Sequence, residues 1–461
     1  MKGVTSWDFH PYLPPLTENG GIYVCRIAPS KNAVHVEWQD AGEEIYTVSY
    51  KKAEGGEEKT LTVHGTECDI TNLDEKTDYE ITVRAGTKYS RTRLARTGAA
   101  VGDTVVNYLH PNDEAYAFSG RYLCSPCIIR HPEGFLLASM DLFRAQAPQN
   151  LTLIFRSDDD GKTWHYVSEL FPCFWGRMFI HRNALYMISC STEYGDLLIG
   201  RSDDGGKTFT VPTVLFRGAC KCDRAGVHKN PQPPVTFAGR VWHTMEWGAW
   251  ALGTHAAMVG SFPVDADPLD ASAWLFSEPT PYDPAWQGVG DGPSAGNIEG
   301  TLTILPDGNL YNIMRYDMGR TKERFGKVLA YRVNTDDPEA PLVYDHAITL
   351  PGNHSKFMIR YDDVSEAYYT VICRITDRGC VADRRLLSLM RSKDCEQWDV
   401  VKDLMDFREK ATAQDVGFQY PDFFIEGDDI LLLCRTAMNG AANFHDSNYS
   451  TFHRIKNFRD L

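Results

Sequence analysis

Several residues able to do chemistry open short apolar runs that lie far apart in the chain. His228 and Lys229 begin "VHKNPQPPVTF", Glu299 stands in "GNIEGTLTIL", His354 and Lys356 in "GNHSKFMIR", and Tyr420 and Asp422 in "GFQYPDFFI". Two earlier runs of the same kind, "YLCSPCII" and "CFWGRMFI", open with Ser125 and with Trp175 and Arg177. As residue types, a phenol with a carboxylate can make a nucleophile, and two carboxylates can share acid and base roles. Histidine, lysine and arginine can shuttle protons or hold an anion. None of that works unless the fold gathers the run starts in one place. One polar residue at a strand start is ordinarily a solvated end, but the same device six times asks for mutual partners or a ligand.

The elements that gather them are announced by a repeat. "RSDDDGKTW" at 156–164 returns 45 positions later as "RSDDGGKTF" at 201–209, and "SKDCEQW" from Ser392 to Trp398 is a shorter relative. Ser157, Asp159, Gly161, Thr163 and Trp164, like Ser202, Asp204, Gly206, Thr208 and Phe209, suit a hairpin turn. Serine and aspartate cap backbone N–H groups, glycine takes a positive φ, and the aromatic ring anchors the turn. The motif resembles the Asp box of the sialidase-like β-propellers. With that period as a ruler, residues 99–461 divide into six units. Each has a second strand-forming run: "GFLLASMD", "ALYMISCS", "RVWHTMEW", "GNLYNIMRYD", "AYYTVICRI" and "DILLLCRTA". The expected fold is an all-β, six-bladed sialidase-like propeller, whose radial array keeps sheet edges short. "DTVVNYL" (Asp103 to Leu109) is expected to complete the last blade.

The resemblance implies site residues. Glu299 takes the place of the glutamate that partners the nucleophile, Arg315 that of a carboxylate-binding arginine, and Tyr420 that of the nucleophilic tyrosine. Asp141, ending "LLASMD", is the counterpart of the acid/base region. Two departures stand out: Cys124-Ser125-Pro126 replaces the first-blade arginine motif, and His354-Ser355-Lys356 replaces a later arginine. An incomplete arginine clamp argues against an ordinary sialidase, because lysine or cysteine cannot reproduce its charge-assisted forks. The expected substrate-binding set is Arg315, His228, Lys229, His243, Glu246, His354, Lys356, Asp422, Arg435 and His445. These residues favour a glycoside hydrolase acting on a terminal, acidic or neutral, sugar of an oligo- or polysaccharide. A polysaccharide lyase on a uronic acid and a non-catalytic glycan-binding propeller stay open beside it.

Residues 20–98 read differently. Alternating runs such as "AVHVEWQDAG" and "DYEITVRAGT" predict a β-sandwich of about seven strands. Trp38, Leu73 in "ITNLDEKTDY" and Tyr79 make it similar to a fibronectin type III domain, an expected spacer or docking module. A formal net charge of −15 argues against nucleic-acid or anionic-membrane partners. The start lacks the apolar core of a signal peptide, and the 12 cysteines are dispersed, so a cytoplasmic location is expected, or a secreted one if a leader has been removed. "CSPC" and "CKCDRAGVH" lack a second ligand pair at finger-like spacing, and "DDDG" reads as turn chemistry. No cofactor and no metal are expected.

Overall fold

The computed structural model describes residues 20–219, 224–289, 297–316, 326–352, 355–377, 380 and 382–461. The chain is all-β, with helix confined to short 3-10 turns. Among the described residues, six sheets follow one another after the N-terminal module. The first holds Tyr122–Arg130, Leu136–Phe143, Thr152–Ser157 and His165–Leu170, and the second Phe174–His181, Ala184–Cys190, Leu197–Ser202 and Thr213–Phe216. The third is built on Gly226–His228, Arg240–Ala249 and Thr254–Pro263, with short strands added. The fourth comprises Asn297–Ile304, Leu310–Tyr316, Lys327–Arg332 and Val343–Thr349; the fifth Ile359–Asp362, Ala367–Cys373, Leu386–Ser392 and Asp399–Asp406. Gly417–Glu426, Asp429–Ala437 and Tyr449–Ile455 make the sixth, and its fourth strand is Thr104–Tyr108. "DTVVNYL" therefore lies where its pattern placed it, paired antiparallel with Tyr449–Ile455.

The first, second, fourth and fifth sheets are plain antiparallel meanders, in which short alternating runs joined by turns pair with their chain neighbours. The first strand of the sixth sheet packs on the first strand of the first, so the succession returns on itself. The two nine-residue turns share one bonding scheme. Ser157 Oγ donates to Asp159 Oδ1 at 2.8 Å and accepts from Gly161 N at 2.8 Å, while Asp159 accepts from Thr163 N and Oγ1. Ser202, Asp204, Gly206 and Thr208 repeat those bonds. Gly161 has φ +87°, and a Cβ there would come within 2.2 Å of the Phe452 ring. Trp164 and Phe209 are buried beneath the turns.

The N-terminal module is a sandwich of two sheets. Val24–Pro29, Val34–Trp38 and Glu67–Ile70 form one, and Tyr46–Lys52, Lys59–Val63, Asp78–Ala85 and Arg93–Arg96, with shorter strands, the other. Trp38, Leu73 and Tyr79 are buried in its core, and the Tyr79 hydroxyl accepts from Asp74 N at 3.0 Å. The packing is that of a docked module rather than a free spacer. Arg93 and Asp113 form a buried ion pair at 2.7 Å, Arg26 donates to the Val105 and Val106 carbonyls, and the Tyr23 and Tyr116 hydroxyls meet at 2.8 Å.

Candidate active site

Four sheets share one irregularity. The pairing of the first strand with the second shifts register between Cys124 and Cys127, Phe174 and Arg177, Ile298 and Thr301, and Gln419 and Asp422. These are β-bulges, and in each the first extra residue has positive φ: Ser125 (48°), Trp175 (53°), Glu299 (57°) and Tyr420 (53°). A bulky side chain in the left-handed region costs roughly 1–3 kcal/mol and persists only where the surroundings impose it, most often at functional sites. The bulge re-aims its side chain. All four residues line one cavity of about 470 Å³.

Glu299 and Tyr420 meet there. The Tyr420 hydroxyl donates to Glu299 Oε1 at 2.5 Å, and Arg315 donates to Glu299 Oε2 at 2.5 Å and to the tyrosine oxygen at 3.2 Å. Burial raises the Glu299 carboxyl, but Arg315, His228 and the two hydrogen bonds outweigh it and hold the group below its ordinary value. Burial, then the Glu299 charge, push the Tyr420 phenol up, while Arg315, Arg384 and Arg435 pull it down. The phenol is thus protonated at rest, with an ionised carboxylate placed to receive its proton.

Three guanidiniums line this cavity: Arg315, Arg384 and Arg435. Arg384 donates to Gln419 Oε1, and Arg435 donates to the His445 carbonyl at 2.5 Å with its Cζ 5.1 Å from the Tyr420 ring centroid. Sequence reasoning missed Arg384. It stands in "DRRLL", where Arg385 is occupied by Asp383, and the sequence cannot say which of the two turns inward. Arg384 reaches the cavity from the loop before Leu386–Ser392, and Arg435 from the strand Asp429–Ala437.

His228 lines the cavity with its Nδ1 2.6 Å from Glu246 Oε2. Burial lowers the His228 imidazole to about 4 and pushes the Glu246 carboxyl well up, so both are driven to their neutral forms. Glu246 itself does not line the cavity; it also accepts from Gly300 N at 3.2 Å, beside Glu299. Glu193, in the loop after Ala184–Cys190, is a lining carboxyl that the sequence did not single out, since that loop occupies no repeat position. Burial raises it, and Gln149 donates to it at 2.8 Å. Trp175 and Trp250 give aromatic wall, and His445 completes the rim beside Phe143.

The structure moves five other predicted residues away from the cavity. Asp141 is fully buried, opposite Cys124 in the strand pairing, where it accepts from Thr152 Oγ1 at 2.5 Å and from Trp175 N at 2.6 Å. That position makes it a support for the Trp175 bulge and not a group that can reach a sugar. Lys229 donates to the Trp175 and Ile188 carbonyls, and Lys356 to the Pro421 carbonyl at 3.0 Å. Asp422 accepts from Arg177 at 2.7 Å and from Ile128 N at 2.7 Å. His243 is buried, and none of these five lines the cavity. They miss it because Asp422 stands beyond its bulge, Asp141 and His243 are on second strands, and Lys229 and Lys356 lie just outside the strands. His354 lies outside the described residues.

Comparison with known proteins agrees with this architecture. Residues 24–96 match the fibronectin type III domain model. No curated protein sequence matches the chain. Among solved structures, a Penicillium chrysogenum alpha-L-arabinanase complexed with arabinobiose is 13% identical, with TM-score 0.52, covering 78% of this chain and 99% of its own. A Trypanosoma rangeli sialidase in complex with the inhibitor DANA is 13% identical, with TM-score 0.51, covering 82% and 58%. A Hadza microbial sialidase aligns over 95% and 94% at 11% identity and TM-score 0.48. The chain therefore shares the fold of glycoside hydrolases of the sialidase and arabinanase kind, behind a fibronectin type III domain.

Proposed function

We propose that residues 99–461 form a six-bladed sialidase-like propeller, that residues 20–98 form its N-terminal module, and that the protein is a glycoside hydrolase releasing a terminal sugar that bears a carboxylate. One observation carries the reading: a tyrosine hydroxyl on an ionised glutamate, inside a cavity with three arginines. Attack by the Tyr420 oxygen on the anomeric carbon forms the C–O bond as Glu299 takes the phenolic proton, and the glycosidic C–O bond breaks. Arg315 steadies Glu299 in both states. Glu193, whose carboxyl burial raises above its ordinary value, gives a proton to the leaving oxygen and then draws one from the water that hydrolyses the glycosyl-tyrosine. The two inversions give net retention.

Arg315, Arg384 and Arg435 suit a sugar carboxylate, which guanidinium forks bind with charge-assisted hydrogen bonds. Their placement differs from that of the resembled family, because Ser125 holds the first-blade position. Ordinary sialosides are thus expected to be poorer substrates than another carboxylate sugar. A panel of acidic and neutral oligosaccharides, with product mass as readout, tests this. Release of an acidic monosaccharide supports the proposal. Cleavage confined to neutral sugars, or an unsaturated uronate absorbing in the ultraviolet, overturns it, the latter in favour of a lyase.

A further inference from the structure

In the third sheet, Arg240–Ala249 and Thr254–Pro263 pair along their full length. Glu246 lies opposite His228, which lines the cavity. The strand runs on three residues beyond Glu246, to Ala249, a distance of about 10 Å, and the 3-10 turn Trp250–Leu252 follows. Trp250 lines the cavity yet is 42% exposed. An indole is highly buried on average, and one left open at the edge of a cavity marks a surface that something else covers. Its place is fixed: Trp250 N donates to the Tyr194 hydroxyl at 3.0 Å, and its ring packs edge-to-face on His255 with centroids 4.8 Å apart. The Tyr194 hydroxyl also stands 3.1 Å from His255 Nε2. Because Tyr194 follows Glu193, the hairpin tip is held beside the carboxyl assigned the acid role. A second loop, between Leu136–Phe143 and Thr152–Ser157, is tied to the same place: Gln149 donates to Glu193 at 2.8 Å, and Thr192 Oγ1 donates to the Pro148 carbonyl. That loop brings Gln146, exposed and with φ 70°, to the cavity. Loops from the first three sheets thus meet around Glu193.

We propose that Trp250 and Gln146 form a subsite for the leaving part of the substrate, an uncharged pyranose, next to Glu193. This rests on the reading of Glu193 as proton donor. The oxygen that receives the proton belongs to the leaving sugar, so that sugar lies beside Glu193, where Trp250 and Gln146 are held. A pyranose has a face of C–H groups and a rim of hydroxyls. The face buries against an indole, and the rim is met by an amide that both donates and accepts. The cavity is divided by charge in the same sense. Its three arginines belong to the last three sheets and their loops, whereas the described lining residues of the first three sheets include no arginine or lysine. A negatively charged leaving sugar would find no cation there. The substrate is then an oligosaccharide in which an uncharged pyranose bears the terminal acidic sugar, and not a glycoside of a small alcohol.

Two measurements on the full chain test the subsite. In the first, lactose, cellobiose and maltose, all built of uncharged pyranoses, are titrated by saturation-transfer NMR. At least one is expected to bind, with affinity lowered roughly tenfold by Trp250→Ala and about threefold by Gln146→Ala. Leu252→Ala, exposed and outside the cavity lining, should leave it unchanged. The tip is held through the backbone of Trp250, so Trp250→Ala retains the fold, which circular dichroism verifies. In the second, kcat/KM is compared between the oligosaccharide that the substrate panel identifies and the fluoride of its released sugar, which has no leaving sugar. Trp250→Ala should lower the first about tenfold more than the second. Failure of all three disaccharides to bind, or binding that survives Trp250→Ala, overturns the subsite even if the chain hydrolyses glycans. Equal loss on both substrates overturns it too, by making Trp250 part of the wall around the released sugar. Binding that depends on Trp250 in a chain that hydrolyses nothing keeps the sugar site and defeats the hydrolase reading instead.

Discussion

The bulged strands carry two polar layers, and the layers differ in what satisfies them. The residue that opens each bulge, as in Glu299 and Tyr420, faces the cavity with positive φ and meets other cavity groups. The residue two places on, as in Arg177 and Asp422, turns beneath it and is closed by internal partners: Arg177 to Asp422 at 2.7 Å, with Lys356 Nζ 3.8 Å from the same carboxylate. The upper layer keeps strain and perturbed groups available to a ligand. The lower layer spends its charges on holding the bulges. A shift of two residues along one strand thus separates chemistry from scaffolding.

Mutations should divide along that line. The largest effect belongs to the lower layer: Asp422→Ala leaves Arg177 and Lys356 buried without their counter-ion, and breaking a buried pair costs about 3–5 kcal/mol. Chemical denaturation should register that loss; a change below about 1 kcal/mol would show the layer to be dispensable. In the upper layer, Tyr420→Phe removes a nucleophile and no core volume, so turnover should fall about a hundredfold or more with the unfolding midpoint unmoved.

The pH profile of kcat/KM sharpens the comparison. Glu299 must be ionised to take the phenolic proton, and it is held low, so activity persists well into acid and is lost only as pH falls through that lowered value. Glu193 must be protonated, and burial raises it, so activity is lost as pH rises through its raised value. Glu193→Gln should abolish the alkaline limb and slow substrates with poor leaving groups by about 10²-fold or more. An unchanged alkaline limb would remove Glu193 from the acid role. The smallest effect is expected in the turns: Asp159→Ala loses capping bonds and should cost about 1–2 kcal/mol of stability, with turnover per folded molecule intact.

What could be read in the sequence follows the same division. The repeat gave the sheet period because Ser157, Asp159 and Gly161 are each required by local turn geometry, and local geometry is written in neighbouring residues. Glu299 and Tyr420 were legible as strand starts. Asp141 was misplaced because its side-chain direction depends on pairing with Cys124 across a bulge, and nothing in "LLASMD" reports that bulge. Arg384 and Glu193 escaped notice because they enter the cavity from outside the first strands. The docking of the module through Arg93 and Asp113 was equally hidden, since such a pair is visible only once both partners are buried together.

The most direct test of the central claim is covalent trapping on Tyr420. A fluorinated glycosyl fluoride, made from the carboxylate sugar that the substrate panel identifies, slows breakdown of the glycosyl-enzyme enough for peptide mass mapping. The account predicts one sugar per chain, attached to the Tyr420 oxygen and absent in Tyr420→Phe. A label on Glu299, Glu193 or another carboxylate, or turnover that leaves Tyr420 unmodified, would contradict it.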